Sequence, residues 1–362
     1  MLFRNHAAPT TKAPVWLAPV LLSVLGGCAT VQRLDDGYAL QQPMPLEIAN
    51  RFCYDARPVR EQRTLADEKK AYRLLELSIE ADLPQFDDDS PVTFEYYQEK
   101  DINPAPVILV LPILNGQKHI VRPFATYFAR HGYAAVIVDN VQRETLLDDL
   151  ADPEAAIRQT ILRHRRVLDW IAAQPELDAN RIAVFGASLG GFNALFLAAA
   201  DERVRAVAPA LVAGDLPFVL SRSEEHRIRD AVTDTRDKLG LDEAEMQEFL
   251  ASKIETDPLD LAPYMNAERV LMVLARHDKS VPYEKQLELR EAMGNPAAIT
   301  LPTGHNTAAL YIFYLRKRVL RFFDQKLGTS QLDGMASVVS SQGCTSEPIV
   351  ADRPAGGGPA TH

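Results

Sequence analysis

Cysteine is scarce in this chain, with three in 362 residues, at positions 28, 53 and 344. No paired CxxC, no HExxH and no glycine-rich phosphate loop occurs, so a metal centre has no support and no cofactor is implied. A surplus of cations is missing too. The formal net charge is -10 and no Lys/Arg-rich run stands out, so nothing suggests attraction to nucleic acid or to anionic membranes. What remains is the composition of an ordinary globular protein, 47% hydrophobic and 24% charged, long enough to bury a sizeable core.

The first 28 residues differ from the rest. Arg4 and Lys12 precede an apolar stretch over residues 13–25, which ends in Leu25-Gly26-Gly27-Cys28. The stretch is too short to span a bilayer well and is followed by small residues, so residues 1–27 read as a secretory signal peptide. The segment resembles the lipobox of bacterial lipoproteins. That resemblance implies diacylation of Cys28, anchoring to a membrane through its lipid, and, with Ala29 next, a place in the cell envelope on the periplasmic face of the outer membrane. Cys53 and Cys344 would then remain as an even pair in an oxidising compartment, where either a disulfide or two separate thiols is open.

Residues 28–70 carry scattered proline, many charges and no sustained period, and are expected to form an extended tether. The folded domain is expected over 71–328. It opens with an antiparallel pair, 72–80 and 92–98, separated by a turn-rich segment. Residues 107–111 form a continuous apolar run, as a strand covered on both faces does. Strict alternation follows: a helix around 121–131, a strand at 134–138, then a helix over 153–174 with Asp152 as N-cap and Pro153 at its first position. Strands at 181–185, 204–212, 270–275 and 298–301 and a closing helix at 307–326 complete the pattern. The fold class is α/β, a mostly parallel sheet with helices on both faces. The interval 214–262 is too long for a simple connection. Residues 224–239, stopped by Gly240, and a capping-box start at Asp242 with Glu245 predict a small helical cap that gates the site. After 328 the Ser/Gly/Pro-rich stretch is expected to be disordered.

The chemistry is carried by Gly186-Ala187-Ser188-Leu189-Gly190, which follows an apolar strand and precedes a helix start. Turning a strand directly into a helix forces the serine into strained backbone angles and leaves no room for side chains at the flanking glycines. Its oxygen is thereby exposed at a helix N-terminus, where the amide of Leu189 can meet an oxyanion. A serine nucleophile needs a base, and the base needs a carboxylate to fix its tautomer. Asp278 follows the strand at 270–275 in His277-Asp278-Lys279-Ser280-Val281-Pro282. His305 follows the strand at 298–301 in Gly304-His305-Asn306. Both fall at carboxyl ends of strands, where α/β sites assemble. A second oxyanion donor is expected in the loop after 107–111, at Ile113 in preference to Leu114. His119 and His277 read as surface histidines, and Asp139 as structural.

Over roughly residues 72–326 the chain resembles the α/β-hydrolase superfamily, nearest its dienelactone-hydrolase-like and acyl-esterase branches, on the motifs GASLGG (186–191), HDKSVP (277–282) and GHN (304–306). The resemblance implies a Ser188-Asp278-His305 triad acting on a small-molecule ester. Ser188 stands where dienelactone hydrolases carry cysteine, which favours a serine esterase. A peptidase or thioesterase could use the same triad, and a catalytically silent envelope binding lipoprotein is the alternative of another class.

Overall fold

A computed structural model of the chain describes residues 29–34, 41–86, 90–139, 150 and 152–328. The expected leader, Cys28, Cys344 and the expected disordered tail lie outside those residues. Among the described residues ten strands form one sheet: β1 (Thr30–Gln32), β2 (Glu61–Glu68), β3 (Tyr72–Ile79), β4 (Val92–Glu99), β5 (Ala105–Leu111), β6 (Ala134–Val138), β7 (Leu177–Ala187), β8 (Val204–Ala210), β9 (Leu271–Ala275) and β10 (Ala297–Leu301). Their spatial order is β1-β10-β9-β8-β7-β5-β6-β4-β3-β2. The inner six run parallel. β4, β3 and β2 extend one edge antiparallel, and β1 closes the other edge antiparallel to β10. The parallel core follows from composition. β5, β6 and β9 are apolar from end to end and buried at every residue, which only a sheet covered on both faces allows.

The helices are α1 (Leu46–Asn50), α2 (Lys118–Ala129), α3 (Pro153–Ala173), α4 (Leu189–Ala200), α5 (Leu216–Arg222), α6 (His226–Leu239), α7 (Glu243–Lys253), α8 (Pro258–Leu261), α9 (Tyr283–Ala292) and α10 (Ile312–Leu327). One face of the sheet is covered by α2 and α10, through Val121, Phe124, Phe128, Val319 and Phe323. The other is covered by α3 and α4, through Ile161, Leu168, Leu195 and Leu197. α3 starts as its sequence dictates, with Asp152 Oδ1 accepting from the Ala155 amide at 3.1 Å and Pro153 in the first turn. Because β6 lies on one side of β5 and β7 on the other, the chain reverses its direction of travel between β5 and β7. Such a switch point opens a crevice at the carboxyl ends of those two strands.

α5 to α8 fill the interval between β8 and β9 as a helical insertion. Asp242 and Glu245 form the expected capping box, at 2.9 and 2.8 Å, and α6 stops at Gly240 in the left-handed region (φ 69°). The two ends of the insertion are tied together. Asp257 accepts from the Asp215 amide at 3.0 Å, while Glu154 of α3 accepts from the amides of Glu255 and Thr256 and from the Thr256 hydroxyl at 2.7–3.0 Å.

The expected tether is corrected by the structure. Within residues 28–70, β1 and β2 are strands of the sheet, α1 is a helix and Phe52 is fully buried. The cause is tertiary. The arginines of α3 reach out and take the backbone carbonyls of this segment: Arg158 binds that of Arg51, Arg165 that of Phe52, and Arg166 that of Arg57. β2 escapes notice because it is exposed along almost its whole length and carries no apolar alternation. The closing helix also differs in its start: residues Asn306–Tyr311 are a 3-10 turn, and regular helix begins at Ile312.

Candidate active site

Ser188 sits between the end of β7 and the start of α4 with φ 53° and ψ -126°, a conformation that costs a side-chain-bearing residue about 1–3 kcal/mol. Neighbouring backbone holds it there. The Ser188 amide donates to the Ala210 carbonyl at 2.9 Å, and its own carbonyl accepts from Gly191 and Phe192 at 2.8 and 3.0 Å. The glycines are obligatory. A Cβ at Gly186 would lie 2.0 Å from the Gly190 carbonyl oxygen, and one at Gly190 would lie 2.1 Å from that of Leu111. That second approach presses the loop after β5 against the elbow.

Asp278 and His305 arrive from the two strands beyond β8. The loops after β9 and β10 are joined by backbone hydrogen bonds, from Arg276 to Leu301 and from His277 to Thr303, both 2.9 Å, so the two side chains emerge together. His305 Nδ1 is 2.7 Å from Asp278 Oδ2, and His305 Nε2 is 2.9 Å from Ser188 Oγ. The Asp278 side chain is fully buried, and that of His305 nearly so. Asp278 Oδ1 accepts from the amides of Ser280 and Val281 at 3.0 and 2.8 Å, the local turn that an Asp two residues before a Ser favours. Oδ2 also faces Gln286 Nε2 at 3.4 Å. Gln286 is fully buried in α9, gives a second hydrogen bond to the Val281 carbonyl at 2.7 Å and accepts from the Ala275 amide at 3.1 Å. Sequence reasoning missed Gln286, because its partners lie in the β9 loop and no local pattern marks a helix glutamine that turns inward.

The other expected residues fall as follows. Leu189 is the first residue of α4, so its N–H has no acceptor within the helix and stands at the positive end of the helix dipole. Ile113 is half-buried in the turn after β5, with its carbonyl accepting from Gly116 at 3.1 Å, and Leu114 is buried. His119 and His277 are exposed. Asp139 takes the Thr93 hydroxyl at 2.7 Å and pairs with Lys118 at 2.6 Å. Lys118 also pairs with Glu95 at 3.1 Å. Burial raises the Glu95 carboxyl, but Arg122, Tyr97 and Lys118 outweigh it and hold the group below the ordinary carboxylate range. A polar recess of about 430 Å³ borders Thr93, Glu95, Lys118 and Asp139, and none of Ser188, Asp278 and His305 lines it. Cys53 lies just beyond α1, with its thiol 3.7 Å from Asn50 Oδ1. Its pairing with Cys344 lies outside the described residues.

A model of the X-Pro dipeptidyl-peptidase family (S15) matches residues 41–288, more than half of the chain and a span that includes Ser188 and Asp278. No curated protein sequence matches the chain. Among solved structures, an acetyl xylan esterase from Paenibacillus sp. R4 is similar with a TM-score of 0.56 at 17% identity, over 78% of this chain and 100% of that one. Acetyl xylan esterase 1 from Thermoanaerobacterium sp. JW/SL YS485 is similar with a TM-score of 0.55 at 18% identity, over 77% and 96%. A puromycin-hydrolyzing peptidase of Mycobacterium tuberculosis reaches 0.51 at 16% identity, over 72% of this chain and 40% of that one. At such identities the likeness is one of fold, that of the α/β hydrolases.

Proposed function

Since the chain belongs to the X-Pro dipeptidyl-peptidase (S15) family and is a serine hydrolase of α/β-hydrolase fold, we propose that it cleaves carboxylic esters through an acyl-enzyme on Ser188. The observation that carries this reading is the unbroken relay of contacts Ser188 Oγ, His305 and Asp278, at 2.9 and 2.7 Å. His305 Nε2 takes the hydroxyl proton as Ser188 attacks the acyl carbonyl. Asp278 accepts the Nδ1 proton, fixes the tautomer and stabilises the imidazolium. The oxyanion is met by the amide of Leu189 and, from the β5 loop pressed against the elbow, by that of Ile113; each such donor contributes about 3 kcal/mol. His305 then returns its proton to the leaving alcohol. Water deprotonated by the same imidazole releases the acid.

Amide cleavage is the second reading, favoured by the family match. The ester reading is preferred because the esterases cited above are spanned almost end to end by this chain, whereas only 40% of the peptidase is covered. The insertion α5–α8 is proposed as a cap that gates access. Cys28 is proposed to carry lipid and to anchor the chain in the cell envelope. A fluorophosphonate probe followed by mass spectrometry tests the core of this reading: modification of Ser188, absent in Ser188→Ala, is expected. A folded protein that takes no label at Ser188 would overturn it. Parallel assays on p-nitrophenyl acetate and on an X-Pro p-nitroanilide separate the two readings.

A further inference from the structure

The net charge of -10 conceals a concentration of positive charge on one helix. The insertion packs onto the face carrying α3 and α4, through Val219, Val232, Met246 and Leu250, and over residues 214–262 its thirteen acids outnumber its six Lys and Arg. The opposite face carries α10, in which Arg316, Lys317, Arg318, Arg321 and Lys326 stand against a single acid, Asp324. Asp324 is already engaged by the Tyr133 hydroxyl at 2.8 Å. Among the described residues none of these five cations is ion-paired with a carboxylate. Just ahead of them Leu310 and Phe313, 66% and 65% exposed, face solvent, and Phe313, Lys317 and Arg321 recur at the four-residue spacing that places them on one stripe. Arg316 lies 4.6 Å from the centroids of both Tyr127 and Phe313, and Arg318 lies 5.1 Å from that of Tyr314. Cations stacked on half-exposed aromatic rings beside free aliphatic groups suit the boundary between water and lipid, where aromatic rings and basic side chains settle.

We propose that the α10 face, with Leu310 and Phe313 at its leading end, docks on the surface of a bilayer containing anionic phospholipid. Charge complementarity selects this occupant, since each cation brought to an anionic surface adds to the affinity. The path of the chain agrees. Ala29 packs against the same hydrophobic cluster that α2 and α10 cover, and Cys28 is the preceding residue. Lipid on Cys28 would therefore hold the domain with this side close to the membrane, and no tether intervenes, since β1 begins at Thr30. Binding through α10 does not require the lipid, so the proposal stands apart from the reading of Cys28 and from that of the ester chemistry.

The test uses residues 28–362 carrying Cys28→Ser, so that neither the leader nor an acyl chain can hold the protein, with phosphatidylcholine vesicles and with vesicles of phosphatidylcholine and phosphatidylglycerol at low salt. Lys317→Glu with Arg321→Glu is expected to reduce affinity for the anionic vesicles at least about tenfold. Arg229→Glu with Lys238→Glu, on α6, serves as the control for charge alone and is expected to leave that affinity unchanged. Circular dichroism and turnover of p-nitrophenyl acetate, measured on the same samples, establish that each variant is folded. Equal affinity of the parent and the α10 variant for anionic vesicles overturns the proposal. So does an equal loss in the α6 control, and so does retention on polyglutamate without binding to vesicles.

Discussion

Two buried polar networks in this molecule use the same kinds of group to opposite ends. Around Ser188 the polar groups are few and converge on one reactive oxygen: the strained backbone presents the serine, and Asp278, Gln286 and two backbone amides fix the imidazole. Along α3 they are many and converge on carbonyls and carboxylates of the scaffold. Arg158, Arg163, Arg165 and Arg166 hold the backbone of residues 51–57, 81 and 90–91, while Asp169 binds Arg166, Arg203 and Tyr54. The first arrangement keeps a lone pair available for proton transfer. The second leaves few groups free and so serves as a staple. Buried charge by itself therefore does not mark a catalytic centre; a base within hydrogen-bonding reach of a half-buried nucleophile does.

The contrast predicts that substitutions in the first network change turnover and those in the second change stability. The largest effect is expected for Asp278→Asn, which keeps the shape but favours the wrong imidazole tautomer: kcat should fall about 10⁴-fold with little change in melting temperature. A variant that lost stability but kept its turnover would erase the distinction. On the α3 side, His164 is fully buried, with Nδ1 lacking a hydrogen bond, and burial followed by the charge of Arg163 lowers its pKa to about 3 from 6.5. The unfolded chain binds a proton below pH 6.5 that the folded protein refuses until about pH 3. Stability is thus unaffected by this group above pH 6.5 and falls as the pH drops toward 3, by up to about 1.4 kcal/mol per unit. Urea unfolding as a function of pH should show this slope, and His164→Leu should flatten it.

Arg166→Met strips the Ala81 and Arg57 carbonyls and Asp169 of a buried donor. A loss of about 3 kcal/mol is expected in denaturant unfolding, with kcat of the folded fraction unchanged. Gln286→Leu sharpens the comparison, because this residue touches both the Asp278 carboxylate and two backbone groups of the β9 loop. It should lower kcat by about tenfold and stability by about 1–3 kcal/mol together. The smallest effect belongs to Tyr54→Phe, which removes one hydrogen bond to Asp169 and should cost about 1 kcal/mol with no change in turnover.

Legibility in the sequence followed the range of the forces involved. The elbow was readable because steric exclusion at Gly186 and Gly190 acts over a few residues, and the parallel strands because burial on both faces leaves an unbroken apolar run. The residues Ser188, Asp278 and His305, singled out by their positions after strands, meet within hydrogen-bonding distance. The capping box at Asp242 and the stop at Gly240 are local as well. The segment 41–70 escapes such a reading for the converse reason: its order comes from arginines more than a hundred residues away.

The sequence by itself determined the strand and helix alternation, the strained serine turn and the loops that carry its acid and base, since each rests on backbone sterics or on the periodicity of apolar side chains. Tertiary structure alone decided that β1 and β2 join the sheet, that Gln286 braces Asp278, and that the basic helix α10 lies on the face opposite the acid-rich insertion. Those outcomes depend on which distant surfaces meet, and the pairing of distant groups is set by the packing of the whole sheet, a property that no short window of residues contains.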